Sequence, residues 1–221
     1  MNAKIKWFGQ SWFQLIINDK IIYIDPVLKE LAVTTDNNII DYLPKADLIL
    51  ITHDHYDHCD QDTINKLKND NTIIIGPDAC AQKLRNKVTI MNEKESYQWE
   101  EIMINTVPAY NLNKPFHPPN TGIGYLITFN DITIYHAGDT DIIPEMKKFN
   151  NISIALLPIG GTYTMDIKEA VIATSILNPK IVIPMHYLDA KPEIFKQEII
   201  TKTNSKAIIL TPNQDYNLNK L

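Results

Sequence analysis

Residues 48–60 read LILITHDHYDHCD. With Asp47 in front, "DLILIT" is a continuous apolar run bounded by polar residues, the pattern of a strand buried on both faces. The run then breaks into His53, His55 and His58, half of the six histidines in the chain, with Asp54, Asp57 and Asp60 between them. His53 and His55 are two apart. On a strand they share one side, and at its end they can converge on one ion. Asp57 and His58 follow where the chain must turn into the next helix. Two imidazoles, then a carboxylate and a third imidazole, can supply two adjacent metal sites, and this mixture suits zinc, iron or manganese.

The flanks fix the surrounding architecture. Upstream, "IKWFG", "WFQLIIN" and "IIYID" are short β-branched and aromatic runs, with "NDK" as a hairpin turn between the last two. Downstream, "DQDTINKLKND" has helical spacing, with Ile64 and Leu67 on one face. "NTIIIG" reads as a strand, "PDACAQKLRN" as a helix with Pro77 near its start, and "VTIM" as a strand. This is a βαβαβ rhythm. The second half repeats the mixture. "EIMINTVPA", "IGYLITFN", "ITIYHA", "ISIALLPI" and "KIVIPMHY" are strands, and "KAIIL" is a final one. "IPEMKKF", "DIKEAVIATSIL" and "PEIFKQEIITKT" are helices, the second capped by Asp166. The fold class is therefore α/β, in one domain over residues 1–221.

Further ligands must come from His117, His136 and His186 and from carboxylates at strand ends. "IYHAGDTD" places His136 and Asp139 after an apolar strand, and Gly138 lets the backbone pass close to a neighbour. If the chain turns Asp139 toward a site, His136 points to the opposite side and supports from behind. His186 ends the strand "IVIPMHY". Strands that end in His or Asp at one sheet edge are the usual construction of a strand-built active site. The stretch "NLNKPFHPPNT" (111–121) is the one long irregular loop. "PIGGTYTM" (158–165) is a tight turn or a rim on which Tyr163 touches substrate. Cys59 stands outside the ligand pattern and reads as a small buried residue.

The order HxHxDH, then GDT, then a strand-end histidine resembles the metallo-β-lactamase superfamily of metallohydrolases. "YIDP" (23–26) matches its early strand-end aspartate at Asp25. Within that superfamily, "HAGDT" and the compact length look most like the branch that holds ascorbate-6-phosphate lactonase and N-acyl-phosphatidylethanolamine phospholipase D. The resemblance implies a four-layer αβ/βα sandwich of two mixed sheets flanked by helices. It implies two divalent ions, zinc foremost, with manganese or iron as alternatives. His53 and His55 would hold the first ion; Asp57, His58 and His186 would hold the second; Asp139 would bridge them. Asp25 would orient a ligating imidazole from behind. Relatives usually carry a further histidine in a "VPAxH" context, where this chain has Asn111 in "VPAYN". His117, six residues on, is the expected ligand in its place; otherwise Asn111 or water fills the position.

The resemblance also implies hydrolysis of a small-molecule ester, lactone, phosphodiester or amide by a metal-bridging hydroxide that Asp57 orients. Two other classes stand beside this reading: a nuclease of the same superfamily, and a non-hydrolytic metal-binding protein. A net charge of −5 with no Lys/Arg cluster argues against strong nucleic-acid binding. No apolar run approaches the roughly 20 residues of a membrane span. Two cysteines cannot build a disulfide framework, and the N-terminus lacks an apolar signal-peptide core; both point to the cytoplasm.

Overall fold

The protein is described by a computed structural model over residues 2–28, 39–85 and 87–218. The chain divides into two compact units, one from Met1–Met91 with Leu210–Lys220 and the other from Asn92–Ile209.

The first unit holds a seven-stranded mixed sheet. β1 (Ala3–Gly9), β2 (Trp12–Ile17) and β3 (Lys20–Ile24) form an antiparallel meander. Asn18 and Asp19 both take positive φ, 45° and 70°, as a two-residue hairpin turn demands. β3 then pairs in parallel with β4 (Leu48–Leu50), which precedes α1 (Gln61–Leu67) and pairs with β5 (Ile73–Gly76). After α2 (Asp78–Lys83) comes β6 (Thr89–Ile90), parallel to β5. The βαβαβ rhythm is thus a run of parallel strands with helical crossovers. The helix expected from "PDACAQKLRN" is shorter, ending at Lys83; Asn86 lies outside the described residues. Phe8 and Trp12 stack at 4.5 Å and, with Tyr23, Ile49, Ile51, Ile64 and Leu67, build the core on the α1 side of this sheet.

The other edge of this sheet carries a strand that sequence reading missed, Asp215–Asn217, antiparallel to β1. It is three residues long and polar, so it has no hydrophobic signature. Its tie is electrostatic: Asp215 pairs with Lys4 and Lys6, each at 3.2 Å. Burial alone would raise the Asp215 carboxyl, but the two ammonium groups outweigh it and hold it below its usual range.

The second unit also holds seven strands. β7 (Ser96–Trp99), β8 (Ile102–Ala109), β9 (Gly122–Phe129) and β10 (Ile132–His136) run antiparallel in succession. β11 (Ile154–Pro158) continues in parallel from β10. α3 (Ile167–Leu177) leads to β12 (Ile181–Met185), parallel to β11. α4 (Pro192–Lys202) leads to the edge strand β13 (Lys206–Ala207). α3 opens with the expected cap: Asp166 accepts from the Glu169 amide at 2.8 Å, and Glu169 closes the box on the Asp166 amide at 2.9 Å.

Two expectations for this unit are corrected, and one strand is added. "IPEMKKF" forms only a 3₁₀ turn, Pro144–Lys148, because its proline starts a segment too short to propagate α geometry. "KAIIL" pairs for two residues only, and it is not the last strand. β7, "SYQW", was not anticipated; it is a polar edge strand.

Direction positions the chemistry. β3 and β4 are parallel, so Asp25 and the Thr52–His53 corner leave the same edge of the first sheet. In the second sheet β8, β10, β11 and β12 all point one way. Their carboxyl ends release Asn111, Asp139, Gly160 and His186 along one edge, where open α/β sheets bind ligands.

Candidate metal centre

In the first unit the HDHYDH stretch is a compact turn: the amides of His58 and Cys59 both donate to the His55 carbonyl, at 3.1 and 2.9 Å. Asp25 anchors it from below. The Asp25 residue takes a left-handed backbone, φ 46°, which turns its carboxylate under the β4 end. Its Oδ1 accepts from the Thr52 amide at 2.8 Å and its Oδ2 from the Thr52 hydroxyl at 2.6 Å. Oδ2 also meets His58 Nδ1 at 2.7 Å. All three residues are fully buried.

These contacts set the ring protons. Thr52 has one hydroxyl proton and gives it to Asp25, so at 3.0 Å from Thr52 Oγ1 it is His53 Nδ1 that donates. His58 Nδ1 likewise donates to the carboxylate. Both rings therefore carry their lone pair on Nε2, the ligating form. His53 Nε2 stands 3.1 Å from His55 Nδ1. Two nitrogens bound to one tetrahedral zinc at its usual bond length would lie about 3.4 Å apart, so the spacing suits a shared cation. His58 Nε2 lies 3.6 Å from Asp57 Oδ2, which Gln10 Nε2 fixes with a 2.8 Å hydrogen bond. Gln10 is itself held: its carbonyl accepts from Trp7 Nε1 at 3.0 Å.

In the second unit two expected histidines converge on one oxygen of a third expected residue, Asp139. Asp139 Oδ2 lies 3.2 Å from His186 Nε2 and 3.5 Å from His117 Nε2. All three residues are at most 4% exposed. His186 has a left-handed backbone, φ 49°, at the end of β12. Behind Asp139, the Gly138 amide donates to His136 Nδ1 at 3.2 Å. His136 thus shapes the turn that carries Asp139, and it is completely buried. The loop from Asn111 delivers His117, whose Nδ1 lies 3.0 Å from Asn111 Oδ1 and 3.2 Å from the Tyr163 carbonyl. Tyr163 therefore meets His117 through its backbone carbonyl. Its ring, 40% exposed, meets the equally exposed Phe116 edge-on at 4.6 Å.

The family model for the beta-lactamase superfamily domain matches residues 4–186, which spans both units. The chain belongs to this superfamily. A UPF0173 metal-dependent hydrolase of Staphylothermus marinus is 35% identical, over 97% of this chain and 98% of its own. The crystal structure of a protein from Parabacteroides distasonis, described as a metal-dependent hydrolase, has a TM-score of 0.86 at 32% identity, covering 96% of this chain and 94% of that one. A metallo hydrolase of Ignicoccus hospitalis has a TM-score of 0.82 at 26% identity, covering 99% of both. The chain is thus a member of the UPF0173 metal-dependent hydrolases within the metallo-β-lactamase superfamily, with its two mixed sheets and flanking helices.

Several residues that serve the site were not singled out from sequence. Thr52 lies inside the quoted stretch and Asp141 ends "HAGDTD", but neither was read as functional; Gln10 carries no local signal. Asp141 organises the His117 loop: its carboxylate accepts from the Leu112 amide at 2.9 Å and Asn111 Nδ2 at 3.1 Å, and it pairs with Lys114. Cys59 is buried as expected, against Cys80. Their thiol–thiol hydrogen bond, and then burial, push Cys80 far above its usual range, which keeps it protonated and inert.

The glycine turn after β11 has a specific cause. A Cβ on Gly160 would lie 2.6 Å from the His186 carbonyl oxygen, closer than side chains ever approach backbone. Gly160→Ala is expected to cost about 1–3 kcal/mol of stability by overpacking. Because the displaced atom belongs to His186, metal affinity should fall as well. Urea unfolding and calorimetric metal titration of one preparation check both; a full loss of stability with unchanged metal binding would show that His186 does not depend on this contact.

Proposed function

We propose that the protein is a dinuclear metal-dependent hydrolase acting on a small-molecule ester, lactone, phosphodiester or amide. His53, His55 and His117 serve the first ion. Asp57, His58 and His186 serve the second, and Asp139 bridges. The observation that carries it is the way the donors are prepared: His53, His58 and His117 each have Nδ1 engaged behind them, by Thr52, Asp25 and Asn111. Buried imidazoles fixed in one tautomer, beside carboxylates, fit a cation. Zinc suits this set best; manganese and iron are also compatible.

Bound metals would supply hydroxide at neutral pH and polarise the substrate oxygen. The chain's own residues supply the rest. Asp57, its carboxylate plane set by Gln10, orients the attacking water and accepts its proton. Asp25 keeps the His58 lone pair on Nε2. Phe116 and Tyr163 form an apolar rim beside His117, suited to the non-reacting part of a substrate. No Ser or Cys nucleophile is required, consistent with the burial of both cysteines.

A panel of phosphodiester, lactone, ester and amide substrates, offered to metal-loaded protein, tests this reading. Turnover of at least one class, abolished by a chelator and restored by added metal, is expected. Metal uptake without turnover on any class would favour a metal-binding protein, and cleavage restricted to polynucleotides would favour a nuclease.

A further inference from the structure

We infer that Asn111 is a positioning residue for the metal centre: its side-chain oxygen sets the tautomer and direction of His117, so that Nε2 is presented as the ligand. This rests on the reading of His117 as a metal ligand.

The amide makes a fully used set of contacts. Asn111 Oδ1 meets both the His117 amide, at 3.1 Å, and His117 Nδ1, at 3.0 Å. Its Nδ2 donates to Asp141 Oδ1 at 3.1 Å and to the Tyr163 carbonyl at 2.9 Å. The orientation of the amide is not arbitrary. Carboxylate and carbonyl are acceptors only, so they must face Nδ2, and a backbone N–H must face Oδ1. With Oδ1 fixed as an acceptor, and the Tyr163 carbonyl as a second acceptor at 3.2 Å, His117 Nδ1 has to carry the proton. The lone pair then sits on Nε2, which points toward Asp139 Oδ2.

The loop is closed around this contact. The Asn111 amide donates to the His117 carbonyl at 2.8 Å, making a reciprocal pair six residues apart. Asn111 and His117 are 5% and 4% exposed, so the bonds form away from competing water. Asp141, paired with Lys114, holds the outer side of the amide. An asparagine here therefore acts through a histidine further along the chain and need not touch the metal.

The test is metal titration by calorimetry on Asn111→Ala and Lys114→Met, with folding followed by thermal melts. Lys114→Met loosens the same loop but leaves the Asn111–His117 contact. Asn111→Ala is expected to weaken uptake of one of the two metal equivalents by about 10–100-fold, the usual effect of losing a group behind a ligand. The other equivalent keeps its affinity, and Lys114→Met lowers the melting temperature but binds both as the wild type does. Wild-type affinities in Asn111→Ala, or an equal loss in Lys114→Met, would overturn the proposal. If Asn111→Ala does not fold, long-range ¹H–¹⁵N spectra of the metal-free wild type decide: Nδ1–H on His117 is expected, and Nε2–H would overturn it. A wild type that shows Nδ1–H but takes up no metal would sink the hydrolase reading and leave the role of Asn111 intact.

Discussion

Asp139→Ala is expected to reduce turnover by more than about 100-fold, beyond the usual cost of removing a group that only supports a ligand. In the proposed centre Asp139 is the shared ligand, and its Oδ2 is the atom on which His117 and His186 converge. Its loss would remove a negative charge from the proposed centre and leave two buried imidazoles facing a gap. His136→Ala, compared per folded molecule, should lose about tenfold or less, because its ring contacts the Gly138 amide rather than the ligand atoms. Equal and complete loss in both variants would show that His136 is itself a ligand and that the turn after β10 has been misread. Steady-state kinetics with the first substrate found, together with metal content, make the comparison.

The second large effect is expected at Asp25. Its carboxylate accepts from the Thr52 amide, the Thr52 hydroxyl and His58 Nδ1, and all of these are buried. Asp25→Ala strands three donors out of reach of water. Breaking a buried charged network of this kind costs about 3–5 kcal/mol. Both His53 and His58 lose the contact that fixes their ring protons, directly or through Thr52, so metal affinity should fall about 10–100-fold in whatever protein still folds. Asp25→Asn keeps the shape but replaces one acceptor oxygen with a donor, and should recover only part of the stability. A denaturant midpoint for Asp25→Ala indistinguishable from the wild type would contradict this account of the corner.

The fold was legible wherever a segment had to bury itself. "DLILIT", "NTIIIG" and "KIVIPMHY" are apolar because their strands lie inside sheets, and the capping box at Asp166 announces α3. Asp215–Asn217 and Ser96–Trp99 were not legible, because short edge strands with one solvated side have no periodicity to read. The candidate ligands were legible for a different reason: histidine and aspartate are rare enough at strand ends that their clustering carries information. Of the residues behind them, Asp25 was named only through the family resemblance and Gln10 not at all. Asp25 bonds His58 across 33 residues and Gln10 bonds Asp57 across 47, separations that only the folded sheet brings together. Asn111 is the instructive case. In sequence it reads as a histidine that is lacking, whereas in the structure it is an acceptor spent on His117.

The central claim is the metal centre, and elemental analysis of protein purified without chelator tests it most directly. His53, His55, Asp57, His58, His117, Asp139 and His186 are enough ligands for two ions with one carboxylate shared. The account predicts close to two equivalents of divalent metal per chain, with one lost selectively in His117→Ala. A consistent value near zero in the wild type, not restored by adding zinc, manganese or iron, would contradict it.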